Sequence, residues 1–422
     1  MHLICHLSKY LKIMRFRLII ITLFISFAVN GYSSVRQEML STLIKYTSID
    51  SQSAEDSVIT AGQRVMALQL KADIEEAIAR YKTPDVEVAI SPENYLYVTI
   101  PSNTKNICPS LGISCHLDVT PEAKGGSIVP IIDEKDGDVI VRTDGSTLLG
   151  ADDKCGCTIA VQLIRKLLSD KNIKHGVVMF AFCPNEDVGR AAEGIDPSMF
   201  SPDILFDIDG EGGHQVTKSN FTARGFNVKF IGRDAHPGMA KAMKYGDATA
   251  AAATFIASVP VEHRPENTDG LQGYIHPWSF EKTGSDVTVL TRIRYFDKEE
   301  GDKFDKIVKD ALTKIAIDFP NVEVKVLYDD LQYENVAYTL HPKAEQLVTE
   351  AARSIGREIV FVDERGGTTA SMFAAKGLKG GMGIFSGQHD IHTTNEYANL
   401  REMEDAYNLM LYIIKCIPTL KS

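Results

Sequence analysis

The chain is short of cysteine and of positive charge. Seven cysteines in 422 residues are too few for a disulfide scaffold. Lys and Arg number 45 against 56 Asp and Glu, a formal net charge of −11. That deficit argues against a nucleic-acid partner, because proteins hold phosphates largely through Lys and Arg. There is no internal repeat and no low-complexity segment. Three motifs of hydrolytic or phosphate chemistry are also missing: Gly-x-Ser-x-Gly, His-Glu-x-x-His and the Walker loop. What remains is 44% apolar and 24% charged, the balance of an ordinary globular protein, which excludes disorder and collagen. The length suggests two or three domains.

The first 33 residues differ from the rest. They hold four cations (Lys9, Lys12, Arg15, Arg17) and no acid, followed by an apolar run from Leu18 to Val29 broken only by Thr22 and Ser26. A basic stretch, a short apolar run and then small residues predict a secretory signal, here cut before Ser34. Twelve residues fall short of the ~20 that a membrane-crossing helix needs. Met14, followed by Arg15-Phe16-Arg17, would be an adequate start by itself. The expectation is an exported protein, periplasmic or secreted, with no stable membrane span after processing. The alternative is an uncleaved anchor, or a mis-assigned start that leaves the protein cytoplasmic. Without those four cations the remainder carries a net charge of −15. Its cysteines do not decide the compartment, since Cys115, Cys155 and Cys183 lie in apolar runs or beside glycine and read as small buried hydrophobes.

Beyond the signal the hydrophobic pattern changes period along the chain. Met39, Leu40, Leu43 and Ile44 share one helical face, and residues 61–81 continue as a second helix. Residues 86–90 and 95–100 alternate as strands. Short apolar strands at 111–114, 177–183 and 204–208 are interleaved with a helix at 159–168. Strands alternating with helices predict an α/β domain whose mainly parallel central sheet is covered by helices. Long polar-alternating strands at 221–231 and 287–295, with helices at 248–258 and 303–317, then read as an inserted α+β unit. Helix–strand alternation resumes at 344 and ends in a helix at 401–416. The expected organisation is a signal (1–33), a catalytic domain in two parts (34–220 and 336–422) and an inserted domain (221–335).

Acids and histidines cluster just after the predicted strands. They are His116-Leu-Asp118, Asp152-Asp153, Glu186-Asp187, Asp207-Ile-Asp209 and Gln388-His389-Asp-Ile-His392. In open α/β sheets, ligands collect beyond the carboxyl ends of the strands. Any one of these pairs is ordinarily a surface hydrogen bond or a helix cap. Together at one sheet edge they would repel unless cations neutralised them, and Asp, Glu and His suit Zn²⁺ in an N/O site. A carboxylate bridging two ions would make a two-metal hydrolytic site. Gly210-Glu-Gly-Gly213 could cradle an anion, but Glu211 would repel a phosphate, so it reads as a tight turn presenting Asp209.

These residues resemble a known family. Cys115-His-Leu-Asp118, Thr143-Asp-Gly-Ser-Thr-Leu-Leu-Gly-Ala-Asp-Asp-Lys154, Ala181-Phe-Cys-Pro-Asn-Glu-Asp-Val-Gly189, His236-Pro-Gly, Arg365-Gly-Gly-Thr368 and His392-x-x-Asn-Glu396 are similar to segments of peptidase T. Peptidase T is the tripeptide aminopeptidase of the di-zinc peptidase and aminoacylase superfamily, in which a catalytic α/β domain is interrupted by a lid that usually also dimerises. The resemblance runs from about Val35 to the last helix, and 143–154 is its most specific part.

The resemblance implies two zinc ions per subunit, short peptide substrates and a homodimer. His116, Asp152 and Asp209 would hold one ion, and Asp152, Asp187 and His392 the other. Asp152 would be the bridge, with a cis bond to Asp153. Asp118 would orient His116, and Glu186 would be the general base for a water between the ions. His236 would reach the partner subunit's active site and steady the oxyanion. Arg294 and Arg365 would contact substrate, with structural ion pairing as the other reading. The family places its histidine ligand four residues before the Glu, which selects His392 over His389. Departures from the family are Asp187 where Glu is usual, Asn185 for Asp, Cys155 for a small residue, Thr369 for Asp, and the N-terminal extension. The rival readings are a related deacylase or carboxypeptidase and a non-catalytic peptide-binding homologue.

Overall fold

The computed structural model describes residues 33–420 apart from 55, 57, 127 and 136. Residues 1–32, the bulk of the expected export signal, lie outside the described residues. Two helices open the fold, α1 (Ser34–Thr47) and α2 (Ala61–Tyr81). Each starts where a hydroxyl caps a free N–H: Ser33 accepts from the Arg36 amide and Thr60 from the Gln63 amide. Strands β1 (Glu87–Ile90), β2 (Leu96–Ile100) and β3 (Leu111–His116) follow, then a hairpin of β4 (Ile131–Lys135) and β5 (Asp138–Arg142). Helix α3 (Ala151–Ser169) leads to β6 (Val178–Cys183), β7 (Ile204–Glu211) and β8 (Gln215–Asn220).

Residues 222–333 then build a separate sheet from β9 (Thr222–Ile231), β10 (Tyr274–Thr283), β11 (Asp286–Tyr295) and β12 (Glu323–Tyr333), with helices α4 (Ala248–Ala257) and α5 (Lys298–Asp318). It is antiparallel throughout, in the order β10-β11-β9-β12. Its core is its own, with Phe226, Val228 and Phe230 packed against Phe255 and Phe304. The chain returns through α6 (Ala344–Ser354), β13 (Val360–Glu364), α7 (Thr369–Ala375), β14 (Gly381–His389), β15 (Tyr397–Asn399) and α8 (Leu400–Cys416).

The large sheet has the order β1-β2-β6-β3-β7-β14-β15-β5-β4, with β8 and β13 paired alongside β14. Its centre, β6-β3-β7-β14, is parallel, and antiparallel strands extend it on both sides. This is the α/β architecture expected, with the parallel part concentrated where the acids fall. Strand β3 is buried along its whole length, as a strand covered on both faces must be. The apolar strand read at 111–114 runs on to His116, and the helix read at 159–168 begins at Ala151. The opening of that helix is kinked, with non-helical backbone at Asp152 and Asp153, and it packs closely on β7: a Cβ on Gly156 would lie 2.0 Å from the Ile208 carbonyl oxygen. Only glycine allows this approach, and it carries residues 151–155 up to the strand ends. Strands β8, β13 and the β4–β5 hairpin were not evident from periodicity. Among the described residues no helix is long and apolar enough to cross a membrane.

Candidate metal centre and cleft

The parallel centre brings the predicted residues to one edge. His116 ends β3, Glu186 and Asp187 follow β6, Asp209 lies near the end of β7, and His392 lies just beyond β14. Asp152, at the start of α3, faces two imidazoles at once. Its Oδ1 is 2.8 Å from His116 Nε2, and its Oδ2 is 3.3 Å from His392 Nε2. His116 Nε2 is also 3.5 Å from Asp209 Oδ1, and His392 Nε2 is 3.0 Å from Asp187 Oδ1. Ligand-capable atoms therefore gather as His116–Asp152–Asp209 and as Asp152–Asp187–His392, with Asp152 common to both. Glu186 stands between them, within the same reach of His116 and Asp187. The Asp152–Asp153 peptide bond is cis.

The electrostatics of this cluster are those of an anionic cage. Burial raises the Glu186 and Asp209 pKa values well above the ordinary range, and neighbouring carboxylates add to the effect. Burial and the charge of Asp152 push Asp187 up to about 6. Hydrogen bonds to Asp152 and Asp187 raise His392 to about 11. Burial alone would lower the His116 pKa, but Asp209 and Asp152 outweigh it and hold it high. Asp187 Oδ2 is buried with no hydrogen-bond partner, an arrangement that ordinarily demands an ion or a donor. Three carboxylates and two imidazoles in two overlapping sets, with that orphaned oxygen, fit a pair of divalent cations.

Several residues support the cage without belonging to it. Asp118 is fully buried, and its Oδ1 lies 3.4 Å from His116 Nδ1. It also accepts hydrogen bonds from the backbone N–H groups of Glu186 (3.0 Å) and Asp187 (3.2 Å), a role absent from the sequence reading. Asp153 accepts from the His116 and Gly156 amides. Glu396 accepts from the Gly150 and Asp152 amides at 2.6 and 3.0 Å, and burial raises its pKa to about 7. Buried Lys154 donates to the Ile49 carbonyl at 2.6 Å. Asp153, Lys154 and Glu396 sit inside recognisable motifs, yet nothing local shows that they hold the turn carrying Asp152. His389 lies apart from the cage: it stacks on Tyr397 and meets Glu402 at 2.7 Å.

A cleft of about 1380 Å³ opens over the cage, lined by Asp152, Glu186, Asp187, Asp209 and His392 on one side and by Arg292, Arg294, Gln332 and Tyr333 of the small sheet on the other. Arg294 and Arg365 line it too, but neither is ion-paired. Arg294 donates to the Arg224 and Ile293 carbonyls and to Gln332. Arg365 donates to the Gly270 and Gln272 carbonyls and to Thr268, and lies over Phe221 and Tyr274. Both therefore brace the cleft wall. Arg292, which the sequence reading passed over, has no side-chain hydrogen bond or ion pair among the described residues, and its guanidinium rests over Trp278 at 4.7 Å. His236 is exposed, accepts from the Gly238 amide, and does not line this cleft.

A sheet edge holding two imidazole–carboxylate sets, faced across a cleft by a small antiparallel sheet, is the arrangement of a metallohydrolase. The chain belongs to peptidase family M20/M25/M40, whose model matches residues 112–415. Within that family it falls with peptidase T, and it is a metallo-aminopeptidase. Peptidase T of Parabacteroides distasonis is 30% identical over 409 residues, spanning 89% of this chain and 98% of its own length. Peptidase T of Geobacillus sp. (strain WCH70) is 28% identical over 413 residues, or 90% and 98%. The crystal structure of aminopeptidase PepT from Bacillus cereus superposes with a TM-score of 0.71 at 22% identity, covering 90% of this chain and 98% of that one.

Asp118 generates a prediction of its own. Asp118→Asn retains the side chain's volume but replaces one acceptor oxygen with an N–H that faces a backbone donor. Activity should fall by about 10–100-fold, the usual cost of losing an outer partner of a metal-ligating histidine. Steady-state kinetics with metal content measured alongside check this, and an unchanged kcat would remove Asp118 from the support of the site.

Proposed function

We propose that this metal-dependent aminopeptidase is a two-zinc enzyme that releases the N-terminal residue from tripeptides. The observation that carries the reading is Asp152, whose two oxygens face His116 and His392 separately. His116, Asp152 and Asp209 would hold one ion and Asp152, Asp187 and His392 the other. Bound there, the ions would supply Lewis acidity and bring the pKa of a water toward neutrality. Glu186 would accept that water's proton and return it to the departing amine. Its raised pKa suits a group that must both take and give a proton near neutral pH. Asp118, through the Glu186 amide, would fix where that carboxylate stands.

The family resemblance extends the proposal to residues 221–335 as a lid and dimerisation domain and to His236 as a residue completing the partner subunit's site in a homodimer, while the basic and apolar pattern of residues 1–33 extends it to an exported enzyme. Substrate length needs a group that holds the far end of the peptide. Arg292, on the lid side and free of hydrogen bonds, is the cation we assign to the C-terminal carboxylate, with Arg294 and Arg365 shaping the wall beside it.

Several measurements test this reading. Purified protein should contain two zinc ions per chain and cleave tripeptides with a free α-amine in preference to their acetylated forms. Glu186→Gln should keep both ions and lower kcat by ~10²–10⁴-fold. Faster cleavage of acetylated peptides, or near-full activity of metal-loaded Glu186→Gln, would count against the assignment. Arg292→Met should raise KM for tripeptides by about 10–100-fold, the equivalent of one charge-assisted hydrogen bond, while changing little for the same peptides amidated at the C-terminus. Trp278 is the single tryptophan of the chain, so its fluorescence should respond to tripeptide only when Arg292 is present. A KM effect equal for acids and amides would assign Arg292 a structural part.

A further inference from the structure

The two imidazoles of the cage turn the same nitrogen, Nε2, toward Asp152, and each offers Nδ1 to a different carboxylate. The environments of those carboxylates are opposite. His116 and Asp118 are shut away from water, with side-chain exposures of 1% and 0%. His392 is 34% exposed, and the carboxylate 2.9 Å from its Nδ1 belongs to Glu122, which is 69% exposed. Glu122 is 270 residues away in sequence, in the segment that follows β3.

That segment is held in place although its glutamate is wet. Gln52 Nε2 donates to the Thr120 and Ala123 carbonyls at 2.8 and 2.7 Å, on either side of Glu122. The Glu122 amide donates to Thr120 Oγ1, and the Leu148 amide donates to the Lys124 carbonyl. Gly125 lies against Gln52 so closely that a Cβ would meet its Oε1 at 2.8 Å. The backbone therefore presents Glu122 at a fixed place, and only its side chain is free to exchange with water.

We infer that Glu122 is a positioning residue for His392, and that its exposure makes the Asp187–His392 ion the exchangeable one of the pair. The inference rests on the two-ion reading above. An Nδ1–H donated to a carboxylate fixes the tautomer, leaves the Nε2 lone pair toward the ion, and sets the ring plane. For His116 no such bond is made: Asp118 Oδ1 lies 3.4 Å from an Nδ1 without a hydrogen-bond partner, although where water and salt do not reach. For His392 it is made in solvent, where a charge is screened and two mobile groups must be ordered. The second set is also the one that contains the short Asp187, whose Oδ2 has no other partner. Its hold on a cation therefore depends more on Glu122 than its exposure alone would indicate.

The test is graded chelation of the zinc-loaded full-length enzyme, counting the ions retained at each chelator concentration. Wild type should release its ions in two steps. Glu122→Ala should move the first step to about tenfold lower chelator and leave the second in place, in line with the 10–100-fold cost of removing such a partner. Glu122→Gln keeps an acceptor without the charge and should fall between the two. The melting temperature of the metal-free variants should equal that of metal-free wild type, because an exposed side chain is all that changes. Asp118→Asn should instead move the second step. If Glu122→Ala shifts both steps together, shifts neither, or lowers the metal-free melting temperature, Glu122 does not act through His392. Wild-type protein that binds fewer than two ions would overturn the two-ion reading itself, a result distinct from those three.

Discussion

The rest of the structure depends on holding one carboxylate, that of Asp152, between two imidazoles. Its position is set from behind by the Gly150 to Gly156 turn. Glu396 accepts the amides of Gly150 and Asp152, Asp153 accepts those of His116 and Gly156, and Lys154 reaches the Ile49 carbonyl. These contacts tie together β3, the start of α3, the segment before β15 and the stretch between α1 and α2. Gly156 admits the turn to within van der Waals contact of β7, where a side chain would collide with the Ile208 carbonyl. A displacement of this turn would move the carboxylate common to both sets, and its charged groups are buried and hydrogen-bonded where a surface turn would leave them in water.

The cost of that arrangement is electrostatic. Asp152, Asp187, Asp209 and Glu186 are gathered where burial disfavours every one of their charges; the two imidazoles outweigh it at Asp152, whose pKa is lowered, but not at the other three, whose pKa values are raised. Parallel strands make the gathering possible because their carboxyl ends fall on one edge. Cations complete it. The far wall of the cleft shows the complementary economy, with Arg294 of the small sheet and Arg365 just after β13 satisfied by main-chain carbonyls and aromatic faces, so that they shape the cleft without carrying unpaired donors into it. Arg292 alone among these arginines has an aromatic face, that of Trp278, without a hydrogen-bond acceptor for its guanidinium among the described residues.

The α/β class, the strands ending in acids and the small domain near 221–335 were legible because each rests on local periodicity. So was the gathering of acids and histidines, since His116, Asp187, Asp209 and His392 end or follow apolar strands and Asp152 lies in a recognisable motif at a helix start. Pairing of β8 with β13 was not legible, because it joins segments about 145 residues apart through weakly patterned strands. The same holds for the supporting contacts: Glu396 meets Gly150 and Glu122 meets His392 across separations of 246 and 270 residues. For the two arginines that the resemblance singled out, the alternative of structural ion pairing is not what the structure shows: Arg294 and Arg365 bond mainly to backbone carbonyls, acceptors that no side-chain pattern reveals. The departure at Asp187 proved compatible with the cage, since its Oδ1 still comes within 3.0 Å of His392 Nε2.

The central claim is that Asp152 is shared by two ions, and the metal–metal distance tests it most directly. X-ray absorption or anomalous diffraction on the zinc-loaded enzyme should give two ions about 3.5–4 Å apart, the separation of two-metal hydrolytic sites, and Asp152→Asn should lose that signal entirely. A single isolated zinc, or a pair that keeps its spacing in Asp152→Asn, would contradict the account.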